Sequence, residues 1–350
     1  MKENKLKNKK FIVVSIIPTG IKCEIGGFIG DATQITNLLA SACDYLITNP
    51  NAIHAGAFNF KAPNVLCIEG FAIDLFFKNK IGFKLTKKNK IGIIIEKIPD
   101  KISLKMTLKT IEAFSVVAGV NVIKIEFIKP LKKRIYRINK QFAGEILNID
   151  PILQAGKNLK KKGATALAIT TYIPAKLKDI AMYQKAKVPN PYGLLEALIS
   201  HSLVKYLKIP SAHAPLLTKE EMDFFLFRSF SSDKRTACEN ISPSYLGSVL
   251  ISLNDAPQIV ENFEKADIVL SDVEALIVPE NCFRGIPVAF AIKNQIPVIE
   301  VKENKNIFSS LTHFEFLKTE NIFSVRDYRK AYEIIQQLKL REKKYTKNKD

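Results

Sequence analysis

Two loops hold the side chains and backbone best placed for chemistry. One runs from Pro18 to Asp31, P-T-G-I-K-C-E-I-G-G-F-I-G-D, and the other from Thr48 to Gly56, T-N-P-N-A-I-H-A-G. Each follows a short apolar run that reads as a buried strand, and loops of this composition at strand ends are where α/β proteins place ligands. In the first, Gly20, Gly26, Gly27 and Gly30 free the backbone for a close approach to a ligand. The helix expected after Asp31 would favour an anion at its N-terminus. Thr19, Gly26, Gly27, Gly30 and Asp31 are therefore candidate ligand contacts. The spacing matches neither the P-loop nor the dinucleotide fingerprint, and a tight turn with Asp31 as a simple cap accounts for the residues equally well. In the second loop, Thr48, Asn49, Asn51 and His54 offer hydroxyl, carboxamide and imidazole groups, His54 being able to titrate near neutrality. An Asn-Pro-Asn turn closed on its own backbone is the plain alternative.

Further along, Glu69 ends the apolar run of C-I-E-G-F-A-I-D, with Asp74 shortly after it. Glu69 is a candidate general base, or a capping acid. His201 lies in A-L-I-S-H-S-L-V, on an apolar helix. His213 lies in P-S-A-H-A-P, which reads as a Pro-bounded loop that exposes the ring. His213 is thus the preferred proton-handling candidate with Glu69, and His201 a ligand contact or a hydrogen-bonded core residue. No H-x-x-x-H or H-E-x-x-H spacing supports a metal site. Arg284, one of few arginines, could hold an anion or simply face solvent. No G-x-S-x-G elbow is present, and no cysteine has a persuasive histidine partner. Reaction class and cofactor stay open.

These groups must be positioned by strands and helices. Phe11–Ile17 is a continuous β-branched run suited to a strand covered on both faces. Helix is expected over 32–43, 71–77, 104–118, 151–162 and 191–207, with a terminal helix over 327–340. Strands are expected at 45–48, 65–68, 91–95, 122–127, 164–170, 247–253, 268–270, 275–278 and 297–301. Short buried strands alternating with helices predict an α/β fold with mainly parallel sheets flanked by helices, in two lobes. After Lys129 the chain turns basic and irregular until about Asn148. The expected organisation is a basic tail over 1–10, an N-terminal lobe over 11–147 with the Gly-rich loop, a C-terminal lobe over 148–341 and a basic tail over 342–350.

At 350 residues, 47% hydrophobic and 25% charged, the chain can build a full core. The formal charge is +19. It comes from 45 lysines against 8 arginines, a bias of AT-rich coding. Scarce arginine and no interleaved aromatic platform argue against nucleic acid as a partner. The lysines gather in the first ten residues, at 84–90, 129–137 and 157–162, and in the last dozen. Five widely spaced cysteines without C-x-x-C suit reduced thiols. No apolar run is long enough to cross a bilayer. The start M-K-E-N-K-L-K-N-K-K lacks the apolar core of a signal peptide, so the protein is expected to work where it is made.

The ordered set P-T-G-I…I-G-G-F-I-G-D-A, L-I-T-N-P-N, V-L-C-I-E-G…D and I-S-H…P-S-A-H-A-P resembles one family over most of the chain, from Val14 to Val301. It is the domain of unknown function 3326 family, found chiefly in cyanobacteria and algal plastid genomes. The chain departs from that family's pattern at Asn49, where the family tends to carry His, and at His54, where it tends to carry Asn. The resemblance implies no reaction. It does imply a plastid-encoded or cyanobacterial protein, and with the missing transit peptide this predicts a plastid stroma or cyanobacterial cytoplasm.

The functional expectation is an α/β protein that binds, with or without transforming it, a small polar or anionic metabolite at strand-end loops. Gly26, Gly27 and Gly30 would supply backbone donors and Asn49 and Asn51 would orient the ligand. The alternative is a non-catalytic regulatory or assembly protein whose basic face meets an acidic partner, a membrane surface or RNA. The oligomeric state is not legible.

Overall fold

The computed structural model describes residues 9–28, 30–54, 60–139, 141–228, 231–241, 245–309 and 321–347. The chain begins with β1 (Ile12–Ser15), α1 (Thr33–Ala40), β2 (Tyr45–Thr48), β3 (Val65–Cys67), α2 (Gly70–Phe77) and β4 (Gly82–Lys84). Its middle holds β5 (Lys90–Glu96), α3 (Lys101–Val117), β6 (Asn121–Ile128), β7 (Lys133–Ile138), β8 (Gln141–Ile146), α4 (Asp150–Lys161), β9 (Ala166–Thr171), α5 (Leu177–Gln184), α6 (Gly193–Leu207) and β10 (Ser211–Pro215). The last third adds α7 (Lys219–Arg228), α8 (Ala237–Ile241), α9 (Tyr245–Asn254), β11 (Gln258–Val260), β12 (Val273–Pro279), α10 (Ile286–Lys293), β13 (Val298–Val301), β14 (Ile322–Val325) and α11 (Tyr328–Lys347).

The fold is α/β, with two parallel sheets flanked by helices. The larger is six-stranded in the order β14-β13-β12-β1-β2-β3, and the smaller is four-stranded in the order β10-β9-β5-β6. All neighbours within both are parallel. Strands β1 and β9 are buried along their whole length, as sheets covered on both faces require. In the larger sheet the strand order reverses between β1 and β12. At such a switch point the loops leaving neighbouring strands part and open a crevice at the carboxyl edge.

The sheets do not divide the chain at residue 148. The larger sheet joins the first 67 residues to the stretch after 273, and the smaller one draws β5 and β6 from before the expected boundary and β9 and β10 from after it. Parallel strands need long crossovers, so distant segments become sheet neighbours. The stretch after Lys129 is an antiparallel hairpin, β7–β8, rather than irregular chain. Charges at Lys133, Arg134 and Arg137, on both faces of K-R-I-Y-R-I, hid its period of two. Residues 247–253, expected as a strand, lie in helix α9, because a short apolar run fits either state and only its neighbours decide. At 268–270 there is one bridge, Phe83 to Ile268, and a 3-10 turn in place of a strand. The expected terminal tails 1–8 and 348–350 lie outside the described residues, while α11 continues through 347.

Helix α9 sits against α3 because Gly247 has no side chain: a Cβ there would lie 2.2 Å from the Phe114 ring. Gly247→Ala should therefore destabilise the protein by about 1–3 kcal/mol in chemical denaturation, despite alanine's better helix propensity. In a Phe114→Ala background the same change should become neutral or stabilising.

Candidate functional site

The carboxyl ends of β1, β2 and β3 release three successive loops on one edge of the larger sheet. Ile16–Thr19, Asn49–Asn51 and Glu69–Gly70 form one wall of a cavity of about 340 Å³. The opposite wall is β10, the edge strand of the smaller sheet, together with one face of α6 and one face of α9. Gly193 starts α6 and lets the helix come close to the first loop: a Cβ there would meet Thr19 Cγ2 at 2.5 Å. From α6 come Leu194, Glu196, Ala197, Ser200 and His201, spaced so that they share a side of the helix.

Of the candidates named from sequence, Thr19, Asn49, Asn51, Glu69, His201 and His213 line this one cavity, and Gly26, Gly27, Gly30, Asp31 and His54 do not. The glycines serve the loop's own packing. Gly26 N–H donates to the Asp31 carboxylate. A Cβ on Gly27 would lie 2.2 Å from the Cys23 carbonyl oxygen, and the Gly30 carbonyl accepts from the Thr33 hydroxyl at 2.9 Å. Asp31 therefore closes the loop and does not cap α1, whose N-cap is Ala32. Burial raises the Asp31 carboxyl to about 7, although the Gly26 hydrogen bond and nearby Arg235 pull the other way.

His54 is buried and cannot serve as a near-neutral titrating group. Burial above all, with the charge of Lys61, lowers its imidazole to about 4. Its Nδ1 meets the Ser252 hydroxyl at 3.0 Å, and Ser248 Oγ donates to its carbonyl at 2.7 Å. Asn49 is likewise committed. Its carboxamide accepts from Ile17 N–H and donates to the Ile17 carbonyl, both at 3.0 Å, so it pins the first loop beside the second.

His213 is not in an exposed loop. It sits on β10 with a fully buried side chain, in register with Ile169 of β9. Its Nε2 lies 2.9 Å from Thr171 Oγ1 and its Nδ1 3.3 Å from Glu196 Oε1, so both ring nitrogens are engaged. His201 differs. Its side chain is 41% exposed, and its Nε2 lies 2.8 Å from Glu69 Oε1. Nδ1 has no hydrogen-bond partner among the described residues. The other Glu69 oxygen accepts from Phe71 N–H at 2.8 Å and Ala72 N–H at 3.3 Å, capping α2. Gly70 leaves room for the imidazole: a Cβ there would sit 3.2 Å from His201 Nε2. Burial opposes a charge on His201, but the hydrogen bond to Glu69 and the fields of Glu69 and Asp74 outweigh it and raise the imidazole above its ordinary value.

Sequence reading missed Glu196 and Tyr245. Glu196 is one acid inside G-L-L-E-A-L-I, and an acid in so apolar a helix was the available signal. Among the described residues no group of histidines, cysteines and acids is arranged to hold a metal ion. Among them, too, no helix is long and apolar enough to cross a membrane.

A family model described as "Protein of unknown function (DUF3326)" matches residues 12–341. An uncharacterised lipoprotein of Synechococcus sp. (strain ATCC 27144 / PCC 6301 / SAUG 1402/1) is 29% identical over 299 residues, which span 84% of this chain and 82% of that protein. Among solved structures, a periplasmic ribose ABC transporter from Conexibacter woesei DSM 14684 aligns over 67% of this chain and 98% of its own, at 11% identity and a TM-score of 0.19. The trehalose repressor from Escherichia coli aligns over 71% of this chain and 90% of its own, at 11% identity and a TM-score of 0.17. At those TM-scores neither likeness carries an argument about shared fold or ligand.

The Glu69–His201 pair has a pH signature. A raised imidazole contributes stability that is whole below its unfolded value, about 6.5, and lost as pH climbs through the folded value. Glu69→Gln keeps an acceptor for the α2 cap but removes the charge. In this variant the His201 ring protons should titrate at lower pH by NMR than in the wild type. The stability difference between the two proteins should widen as pH falls from 9 to 6.

Proposed function

The chain belongs to the DUF3326 family, whose description assigns no reaction, and on that footing we propose that the cavity between the two sheets binds a small organic molecule and that His201, oriented by Glu69, moves a proton on it. One observation carries the reading. His201 has one ring nitrogen fixed by a carboxylate at 2.8 Å and the other without a partner among the described residues, at the wall of a cavity large enough for a metabolite. A base with an orienting acid behind it is the usual arrangement for proton transfer, and an imidazole works near neutrality. Glu69 is then the orienting partner. His213 keeps its place in the site as a positioning residue, since Thr171 and Glu196 occupy both its nitrogens. Of the residues named from sequence, Thr19 and Asn51 are further polar contacts for a ligand, with Ile16, Ile17, Leu194 and Val249 supplying apolar wall.

The reading built on a basic face has less behind it. Lys133 is buried in an ion pair with Glu96, Lys162 pairs with Glu126 at 2.7 Å, and Lys160 donates to the Leu207 carbonyl at 2.6 Å. Those lysines of the central clusters are spent within the fold.

The test is a screen of small-molecule extracts by thermal shift, followed by mass spectrometry of the compounds consumed. Ala197→Trp, which fills the cavity from α6, should abolish the stabilising hits while leaving the unliganded melting temperature nearly unchanged. His201→Asn should keep binding within a few-fold but slow conversion by about 10²–10⁴-fold. Hits that survive Ala197→Trp, or conversion at the wild-type rate in His201→Asn, would refute the proposal.

A further inference from the structure

We infer that the molecule bound in this cavity is an amine, with its ammonium group set against Glu196 and an apolar body along the walls. The inference rests on the cavity being the ligand site and adds the charge of the ligand. It replaces the anionic ligand expected from the Gly-rich loop.

The starting point is a contrast. The chain as a whole carries a formal charge of +19. Yet among the described residues the acids and imidazoles of the cavity wall are Glu69, Glu196, His201 and His213, with the Tyr245 phenol beside them, and no lysine or arginine lines it. An anion placed here would leave water for a low-dielectric site that faces it with carboxylates.

Glu196 is the group that selects. It is buried, on the inner face of α6, and reaches the cavity. Its Oε1 takes the contact with His213 Nδ1 at 3.3 Å, and Oε2 has no hydrogen-bond partner among the described residues. One tautomer of His213 satisfies both its contacts. The Thr171 hydroxyl donates to Nε2 and the Nδ1 proton goes to Glu196. In that chain every donor points toward Glu196, which is left as an acceptor with one oxygen open. Glu69 offers no such opening, because His201 and the backbone of α2 take both its oxygens.

The groups around Glu196 bring no positive charge to it. Tyr245 lines the cavity from α9 with its hydroxyl buried and without a partner among the described residues. Burial and the charges of Glu239, Glu196 and Glu221, all acids, push that phenol well above its ordinary value, so it remains a hydroxyl able to accept from an ammonium or donate to a ligand oxygen. Glu239 is fully buried, with one oxygen lacking a partner among the described residues. Burial, then the fields of Glu196 and Asp31, hold its carboxyl well above the usual range. Ile16 and Ile17 on the facing wall, with Leu194, Ala212 and Val249 beside these groups, offer apolar surface for the rest of the ligand.

The test uses three probes of one skeleton on the full chain: 2-phenylethylamine, 2-phenylethanol and phenylacetate, by calorimetry at pH 7. A charge-assisted hydrogen bond in a buried site predicts that the amine binds about ten- to a hundred-fold tighter than the alcohol, with phenylacetate weakest. Glu196→Gln should cut the amine's advantage to within a few-fold while the alcohol still binds, and His201→Asn should leave that advantage intact. The wild-type ranking is decisive whether or not Glu196→Gln folds. If the alcohol or phenylacetate binds at least as tightly as the amine, in a manner that Ala197→Trp blocks, the amine assignment is overturned and the cavity reading stands. An amine preference unchanged in folded Glu196→Gln overturns the assignment of Glu196. If no probe binds the wild type, or binding survives Ala197→Trp, the cavity reading fails and the inference with it.

Discussion

Glu69 meets two demands at once, and the geometry of the site follows from both. One oxygen satisfies the first free amides of α2, and the other holds His201 on α6. Helix α2 follows the last strand of the larger sheet, and α6 leads into the edge strand of the smaller one. A single carboxylate thus ties the two layers together at the place where their surfaces part to form the cavity. A buried acid is tolerable only when its oxygens are paired, and here the cap and the imidazole do this together.

The second organising feature is where charge was left out. With 53 lysines and arginines in the chain, a cavity whose acids and imidazoles have no lysine or arginine beside them among the described residues needs a physical account. Part of it is generic, since lysines seek solvent and keep their heads in water. That explains why no lysine was drawn in, but not why Glu196 was. A helix as apolar as α6 gains nothing from a buried acid unless something partners it, and His213 takes only one of its oxygens. The protein therefore retains a desolvated acceptor beside apolar wall, as expected of a site that orients a ligand through a few polar groups.

Much of this was legible in advance where the signal was local. Continuous runs such as Phe11–Ile17 and Ile91–Ile95 announced buried parallel strands, and the Asn and Pro residues after β2 marked a strand-end loop that does reach the cavity. Glu69 was readable as a general base or as a capping acid, and it does cap α2. Errors came where identity outran environment. G-G-F-I-G read equally as a ligand loop and as a tight turn, and its packing is that of the turn, with Gly27 avoiding Cys23 and Gly26 giving its amide to Asp31. The segment G-S-V-L-I-S-L passed for a strand because seven apolar-rich residues carry no period of their own, and packing on α3 and β10 made it a helix. His213 and His201 exchanged roles: the histidine between prolines became core, and the one on the apolar helix met solvent.

What the sequence by itself determined is the class of architecture and the neighbourhood of the site, because both follow from periodicity and turn chemistry, which act over a few residues. Only the tertiary structure decided which imidazole has a free nitrogen, which acid has an open oxygen and which loop truly borders the cavity. Those are properties of burial and of partners some thirty to more than a hundred residues away: Asn49 on Ile17, Glu69 on His201, Thr171 on His213. A side chain's chemistry is written in its type, but its solvation and its partner are fixed by residues that approach it only when the chain is folded.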